Sequence, residues 1–261
     1  MRRILSAVAL LPVVIGTIRF LPPVGTLLLA EVLALLAFLE YARLADRLGG
    51  LLSRSATAVS VMAVCAAVGG SDGGSELVLM AALVVFGGLV LTSGVPGPDA
   101  LQRVSASCFP LVYLGLPFGA LVAIRVQHGW EALLTLLITV MVSDTVQYYG
   151  GRLLGRRLLA PAISPKKTVE GAAVGVVGGT VAMVWAGRWW LPAVEPSTLW
   201  LLGAAVVVLG ITGDLFESFL KRGAGVKDAS GLIPGHGGVL DRVDALLFAA
   251  PVYYVFLRQA S

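Results

Sequence analysis

The chain has 261 residues, of which 57% are hydrophobic and only 13% are charged, and its mean hydropathy is +0.91. Soluble domains carry roughly a quarter charged residues, so this composition excludes an ordinary soluble protein. The net charge of +4 suits anionic partners, but it also follows from the loop charges of any inner-membrane protein. Cys65 and Cys108 lie in apolar runs, so the sequence predicts neither a disulfide framework nor a zinc site.

Apolar runs separated by polar loops follow one another along the chain. With about 20 apolar residues for each crossing, they predict an all-α integral membrane protein, a polytopic bundle of about nine transmembrane helices. We treat residues 1–261 as a single polytopic membrane domain, with N-terminal helices over about 1–125 and C-terminal helices and loops over about 126–261. The predicted spans are approximately 4–18, 22–40, 55–70, 76–95, 104–124, 131–150, 171–190, 197–217 and 243–257.

The N-terminal region can be interpreted in more than one way. An apolar run follows Arg2 and Arg3 as in a signal peptide, but no small-residue cleavage site comes after it, so we expect a retained first helix. Pro22 and Pro23 then interrupt the apolar run. Residues 4–40 therefore form either two spans or a re-entrant hairpin.

The basic residues indicate the orientation, because cytosolic loops of membrane proteins are enriched in Lys and Arg. With the N-terminus in the cytosol, 15 of the 19 Lys and Arg residues fall on the cytosolic side. We therefore expect a multi-pass protein of the cell inner membrane. Its N-terminus and its two long polar loops, about 150–170 and 218–242, would face the cytosol. The remaining bases are Arg19, Arg125, Arg188 and Arg258.

The most polar stretch of the chain reads SFLKRGAGVKDASGLIPGHGGVLDRVD from Ser218 to Asp244. Its bases suit phosphate groups, its glycines allow the backbone to approach a ligand, and carboxylates beside such bases suggest Mg²⁺. Ordinary positive-inside charges would explain the bases but not the two carboxylates around Arg242. At helical spacing a polar stripe runs out of the preceding apolar segment, and it consists of Asp214, Glu217, Ser218 and Lys221.

Two further carboxylates are predicted to lie at the same depth in the membrane as Asp214. Asp144 and Asp244, like Asp214, lie near the predicted cytosolic end of an apolar span. An ionisable residue in a membrane helix is a functional candidate. Three carboxylates from three helices can therefore converge at one membrane face.

The segment ISPKKTVEG, residues 163–171, forms the second polar loop. Ser164-Pro165 is predicted to turn the chain, and Thr168 to cap a helix from about Val169. A helix N-terminus beside Lys166 and Lys167 can bind an anion, although an ordinary cap in a positive-inside loop explains the segment equally well. The glycines over 175–179 follow no strand and indicate close helix packing.

These stretches resemble the phosphatidate cytidylyltransferase (CDP-diacylglycerol synthase) family. That family's pattern is S-x-x-K-R, four residues, K-D, and then P-x-H-G-G-x-x-D-R-x-D, and every fixed position is met from Ser218 to Asp244. The family's S-P-K-K-T-x-E-G run is also present. The resemblance covers roughly 143–171 and 218–244, and elsewhere it rests on hydropathy and on a Glu40-Tyr41-x-Arg43-like helix end.

The resemblance implies transfer of CMP from CTP to phosphatidic acid, giving CDP-diacylglycerol and pyrophosphate, at the cytosolic membrane face. It implies Mg²⁺ or another divalent cation as cofactor, and CTP, phosphatidic acid and membrane lipids as partners. Homodimerisation is a further expectation, and we expect no nucleic-acid partner. Residues expected to bind metal are Asp144, Asp214, Asp228, Asp241 and Asp244. Residues expected to bind phosphate are Lys166, Lys167, Thr168, Lys221, Arg222 and Lys227. The expected catalytic set is Ser218, Lys221, Arg222, Lys227, His236 and Arg242, where His236 either contacts a phosphate or the leaving group or only shapes the turn.

Two alternatives stay open from the sequence. A cation-coupled transporter also carries acidic residues in Gly-rich membrane helices, but it places them near the midplane, whereas here they gather at one face. A CTP-dependent enzyme acting on another lipid acceptor would share the chemistry. Outside the resemblance, no feature of the sequence fixes the acceptor.

Overall fold

The computed structural model describes residues 2–50, 52–70, 74–92, 97, 99–232 and 237–260, with side chains from residue 11 to residue 259. Within these ranges nearly every ordered element is helical, as the composition predicts. The helices are α1 Arg2–Phe20, α2 Pro23–Arg47, α3 Arg54–Gly69, α4 Ser75–Leu91, α5 Asp99–Pro110, α6 Leu116–Leu154, α7 Val169–Trp190, α8 Pro196–Gly223 and α9 Leu240–Ala260.

Four helical segments of the described chain are long and apolar enough to cross a membrane. They agree with the predicted all-α membrane protein, apart from one short β-hairpin, and the number of crossings stays a prediction. Shorter apolar helices accompany them, and one of these, α1, is separated from α2 at Pro22 and Pro23 as the sequence indicates. The four segments are Pro23–Arg47, Asp99–Leu154, Val169–Trp190 and Pro196–Gly223.

The predicted break between the spans 104–124 and 131–150 is a kink rather than a loop. Helix α6 continues through it, and only Gly129 leaves the helical conformation, with φ 88° and ψ 172°. One feature was not predicted: a π-helical turn over Leu111–Gly115 joins α5 to α6. It follows directly on Pro110, which lacks an N–H and whose ring disturbs the preceding helical turn.

A small antiparallel hairpin interrupts the helical architecture between α6 and α7. Strand β1, Leu158–Ala160, pairs with strand β2, Ser164–Thr168. The predicted turn at Ser164-Pro165 is therefore wrong, because those residues lie in β2 and the turn falls at 161–163. Proline fixes a turn-compatible φ at Pro161, and a residue that precedes proline, as Ser164 does, favours an extended backbone.

Glycines allow α6, α7 and α8 to pack closely. A Cβ added to Gly175 would lie 2.9 Å from the Gln147 Cβ of α6. A Cβ added to Gly179 would lie 2.8 Å from the Ser143 Cβ of α6 and 2.5 Å from a Val207 methyl of α8. The close helix packing that the sequence predicts for 175–179 is confirmed.

We expect Gly179→Ala to lower the free energy of unfolding by about 1–3 kcal/mol, because the added methyl overpacks a three-helix contact. Thermal unfolding in detergent micelles measures the change. Gly88→Ala on α4 is the matched control, since its Cβ would meet nothing within 4 Å. Equal effects of the two substitutions would contradict the packing argument.

Aromatic and basic side chains meet at one end of the bundle. The Arg19 guanidinium of α1 lies 4.2 Å from the Trp130 ring centroid, and Trp130 stands edge-on to Trp190 at 5.7 Å. Arg125 donates to the Ile18 carbonyl oxygen at 2.9 Å. Aromatic side chains with polar tips are typical of membrane interfaces. The polar residues singled out in the sequence lie at the other end.

Candidate active site

The candidate site forms where the C-terminal ends of α6 and α8 meet the N-terminal ends of α7 and α9. The loop between α8 and α9 and the β1–β2 hairpin lie at this same end. Helices α6, α7, α8 and α9 contact one another in succession. Both polar stretches of the sequence are thereby brought together.

Lys221 is the centre of a buried charge cluster in the last turns of α8. Its side chain is only 10% exposed, and its ammonium forms ion pairs with Glu217, one turn earlier, and with Asp241 at the start of α9. Glu217 is completely buried. Lys221 was predicted to hold a phosphate, and the structure shows its ammonium directed at two carboxylates.

Asp241 connects Lys221 to the loop between α8 and α9. One carboxylate oxygen accepts from Lys221, while the other accepts the N–H groups of Ala229, at 3.0 Å, and Gly238, at 2.7 Å. Burial alone would raise the pKa of Asp241, but these hydrogen bonds outweigh it and hold the pKa below its ordinary value. Both oxygens of this predicted metal ligand are thus engaged by protein donors.

The predicted carboxylates Asp144, Asp214 and Asp244 are close enough for their charges to interact. Gly213 helps to bring α8 and α9 together here, since a Cβ on it would lie 2.5 Å from the Asp244 carbonyl oxygen. Asp214 also pairs with Lys167 of β2. The carboxylates therefore outnumber the cations paired with them, and the cluster is electrostatically suited to a cation.

The donor set of this carboxylate cluster suits a divalent cation such as Mg²⁺, which prefers carboxylate oxygens. Among the described residues, no three Asp, Glu, His or Cys side chains lie close enough to hold an ion by themselves. Mg²⁺ usually takes only one or two carboxylates, and substrate phosphates and water complete its shell. The arrangement is therefore compatible with a metal bound together with a phosphate substrate.

Ser218, a predicted catalytic residue, lies beside this carboxylate cluster. Its hydroxyl donates to an Asp214 carboxylate oxygen at 3.5 Å. The stripe expected on α8 thus forms two groups, one of Asp214 with Ser218 and one of Glu217 with Lys221. The first group faces the β1–β2 hairpin, where Lys167 pairs with Asp214. The second group faces α9, where Asp241 pairs with Lys221.

The hairpin holds the second set of predicted phosphate-binding residues. The Thr168 hydroxyl accepts the Gly171 N–H at 3.1 Å, which confirms the predicted helix cap. Glu170 accepts the N–H groups of Arg156 and Arg157 at 2.9 and 3.1 Å and so fixes the entry of the hairpin. Lys167 faces Asp214, and Lys166 is exposed.

The remaining predicted residues are mostly exposed around the same region. Arg222 donates to the Ile163 carbonyl oxygen and to the Val226 carbonyl oxygen, each at 3.2 Å, and so joins the end of α8 to the hairpin turn. His236 lies outside the described residues. The exposed predicted residues of the loop and of α9 are Lys227, Asp228 and Arg242.

Glu40, on the penultimate turn of α2, resembles the family only as part of a helix end, and no role was predicted for it from the sequence. The residue is 2% exposed, and its carboxylate accepts a hydrogen bond from the Ser230 hydroxyl at 2.6 Å. It also accepts the N–H groups of Val239, at 3.1 Å, and Leu240, at 2.8 Å. The sequence shows a carboxylate near the end of an apolar helix, which indicates a residue of possible importance. A local sequence pattern does not predict hydrogen-bond partners that lie nearly 200 residues later in the chain.

An apolar cavity of about 260 Å³ lies beside the site, between α2, α5 and α8. The side chains of Phe216 and Leu220 line it, and these residues adjoin Glu217 and Lys221 along α8. The other lining residues are Tyr41, Leu44, Ala45, Leu48 and Phe109.

The model of a family described as "Cytidylyltransferase family" matches residues 1–260. The phosphatidate cytidylyltransferase of Helicobacter pylori (strain J99) is 40% identical over 153 residues, which are 59% of this chain and 57% of that protein. In this local match the chain spans little more than half the length of the relative.

Other relatives match over more of their length. The phosphatidate cytidylyltransferase of Bacillus subtilis is 37% identical over 191 residues, covering 71% of this chain and 69% of that protein. The phosphatidate cytidylyltransferase of Pseudomonas aeruginosa is 34% identical over 273 residues, covering 100% of this chain and 97% of that protein. The similarity therefore extends into the N-terminal helices, where the motif resemblance was weakest.

Proposed function

The chain belongs to the cytidylyltransferase family, and from that premise we propose that it transfers CMP from CTP to phosphatidic acid. The products are CDP-diacylglycerol, a precursor in phospholipid biosynthesis, and pyrophosphate. The observation that carries the proposal is that carboxylates and bases from both polar stretches gather at one end of an apolar helical bundle, in a chain similar to enzymes named for this reaction.

The acceptor supplies its own nucleophile in this reaction. A phosphate monoester has a second pKa of about 6, so a phosphatidate oxygen is ionised near neutral pH and needs no Ser or Cys to replace it. That oxygen forms a bond to the α-phosphorus of CTP, and the bond between this phosphorus and the bridging oxygen to the β-phosphorus breaks. Catalysis then consists mainly of positioning two polyanions and neutralising their charge.

We assign the divalent cation to Asp144, Asp214 and Asp244, because their charges interact and Lys167 pairs with only one of them, and substrate phosphate would have to complete the set of ligands. A cation held by these carboxylates would supply positive charge that offsets the negative charge of the triphosphate and of the leaving pyrophosphate. Lys167, which pairs with Asp214, limits the repulsion between these carboxylates before substrate binds. Asp228 stays a predicted ligand on the exposed loop.

The exposed bases around the carboxylates are suited to hold substrate phosphates. Lys166, Lys227 and Arg242 have exposed side chains, and Arg222 is exposed although it donates to two carbonyl oxygens. Lys221 acts differently in our proposal, since its ammonium is committed to Glu217 and Asp241. Its contribution is to fix the end of α8 against the start of α9.

We place the protein in the inner membrane with this site facing the cytosol, which is where CTP is available. The charge asymmetry of the loops supports that orientation. The lipid acceptor would enter from the membrane, and the apolar cavity beside Phe216 and Leu220 is suited to receive part of an acyl chain. A homodimer stays a prediction.

A transfer assay tests the proposal and its acceptor. Purified protein in mixed micelles receives Mg²⁺, CTP labelled in the cytosine, and either phosphatidic acid or another phosphorylated or hydroxylated lipid. We expect label in the lipid phase with phosphatidic acid and its loss with EDTA. Transfer only to another lipid would favour the alternative acceptor, and transfer that persists in EDTA would contradict the metal assignment.

Among the relatives compared, none is named as a transporter.

A further inference from the structure

We propose that Glu40 is a positioning residue of the active site, which holds the loop before α9 and the first turn of α9 in the arrangement that the carboxylates require. The inference rests on the function proposed above. It assigns a role in the site to α2, an N-terminal helix that lies outside the two matched stretches 143–171 and 218–244 and resembles the family only at its Glu40-Tyr41-x-Arg43-like end.

The contacts of Glu40 all reach the same short segment. One carboxylate oxygen accepts the Ser230 hydroxyl and the Val239 N–H, and the other accepts the Leu240 N–H. The first N–H groups of a helix have no partner within the helix, and they attract negative charge. Glu40 therefore provides from another helix the cap that α9 needs at its N-terminus.

The Glu40 carboxylate packs directly against the loop backbone at Gly238. A Cβ placed on Gly238 would collide with the Glu40 carboxylate, so only glycine allows this approach. The neighbouring Gly237 has a φ of +77°, which favours glycine for a different reason. Gly238 is therefore required by the Glu40 contact, and Gly237 by its own backbone conformation.

A second carboxylate, that of Asp241 in the first turn of α9, also binds the backbone of the loop. Asp241 accepts the N–H of Gly238, while Glu40 accepts the next two N–H groups along the chain. Asp241 in turn is paired with Lys221 of α8. The start of α9 is thus fixed between α2 and α8, and Asp244 lies one turn further along α9.

The substitution Glu40→Gln tests the role with little change of shape. The glutamine amide has one acceptor oxygen, whereas the Glu40 carboxylate accepts hydrogen bonds with both of its oxygens. The amide nitrogen of Gln must therefore face either the Leu240 N–H or the two donors of Ser230 and Val239. We expect hydrogen exchange in the peptide over 237–241 to accelerate by about ten- to a hundredfold, and kcat/KM for CTP to fall by a similar factor. Peptides of α6 and α7 should exchange as in the wild type.

Glu31→Gln is the matched control, because Glu31 lies on the same helix and has no hydrogen bond to the described part of this loop. It should leave exchange over 237–241 and kcat/KM unchanged. If Glu40→Gln does not fold, Ser230→Ala removes one of the three contacts, and a three- to tenfold effect on the same peptide is expected.

Unchanged exchange over 237–241 in either loop-contact variant would overturn the proposal, and so would equal acceleration in all peptides. The exchange measurement does not depend on the reaction. Inactive wild-type protein would therefore count against the proposed function, whereas a rigid loop in active Glu40→Gln protein would count against the role of Glu40.

Discussion

Replacing Asp244 by Asn should abolish CMP transfer while the protein stays folded. Asp244 lies on α9, close enough to Asp214 and Asp144 for their charges to interact, and α8 approaches its backbone closely at Gly213. The substitution keeps the shape of the side chain but removes a charge from the proposed cation site. We expect turnover to fall by at least about a hundred- to a thousandfold, the scale of losing one electrostatic contributor to a phosphoryl-type transition state.

The measurement is turnover at saturating CTP in micelles, accompanied by thermal unfolding of the same preparation. Asp46→Asn is the matched control, since Asp46 lies near the same end of the bundle on α2 and forms an exposed ion pair with Arg54. Such exposed pairs contribute little, so near wild-type turnover is expected there. Wild-type turnover in Asp244→Asn would remove Asp244 from the metal site.

The largest expected loss of stability follows from replacing Lys221 by Met. The substitution preserves length and bulk but leaves Glu217, which is completely buried, without its cation. Removing one partner of a buried ion pair typically costs 3–5 kcal/mol, because the remaining charge is uncompensated. We therefore expect the free energy of unfolding to fall by about that amount, measured by chemical or thermal unfolding in micelles.

A second substitution separates this effect from a role in substrate binding. Adding Glu217→Gln to Lys221→Met should restore a substantial part of the lost stability, since the uncompensated charge is then absent. If Lys221→Met is instead as stable as wild type and only its KM for CTP rises, Lys221 holds a phosphate, as the sequence predicted, and the structural role assigned here is wrong.

The sequence predicted those parts of the structure that depend on local pattern. Hydropathy indicates the apolar helices, and the spacing of Thr168 to Gly171 indicates the cap that forms. The spacing of Glu217 and Lys221 is also compatible with an ion pair on a helix, although the motif suggested a phosphate ligand instead. Both polar stretches were expected to meet, and they do.

Other features depend on contacts between segments that are distant in the chain, and local sequence patterns could not predict them. Lys221 pairs with Asp241 across the α8–α9 loop, and Glu40 binds a segment nearly 200 residues later. The β1–β2 hairpin was missed because its two short strands carry no alternating apolar pattern. The π-helical turn after Pro110 was missed because a proline inside an apolar run indicates a disturbance but not its geometry.

The most direct test of the central claim follows the two ends of the CTP triphosphate separately. Purified protein receives phosphatidic acid, Mg²⁺ and CTP labelled either at the α-phosphorus or at the γ-phosphorus, and label is counted in the lipid and aqueous phases. Nucleotidyl transfer predicts α-label in a CDP-lipid and γ-label in pyrophosphate. Label from the γ-phosphorus in the lipid, or no transfer of either label by a folded preparation, would contradict the account.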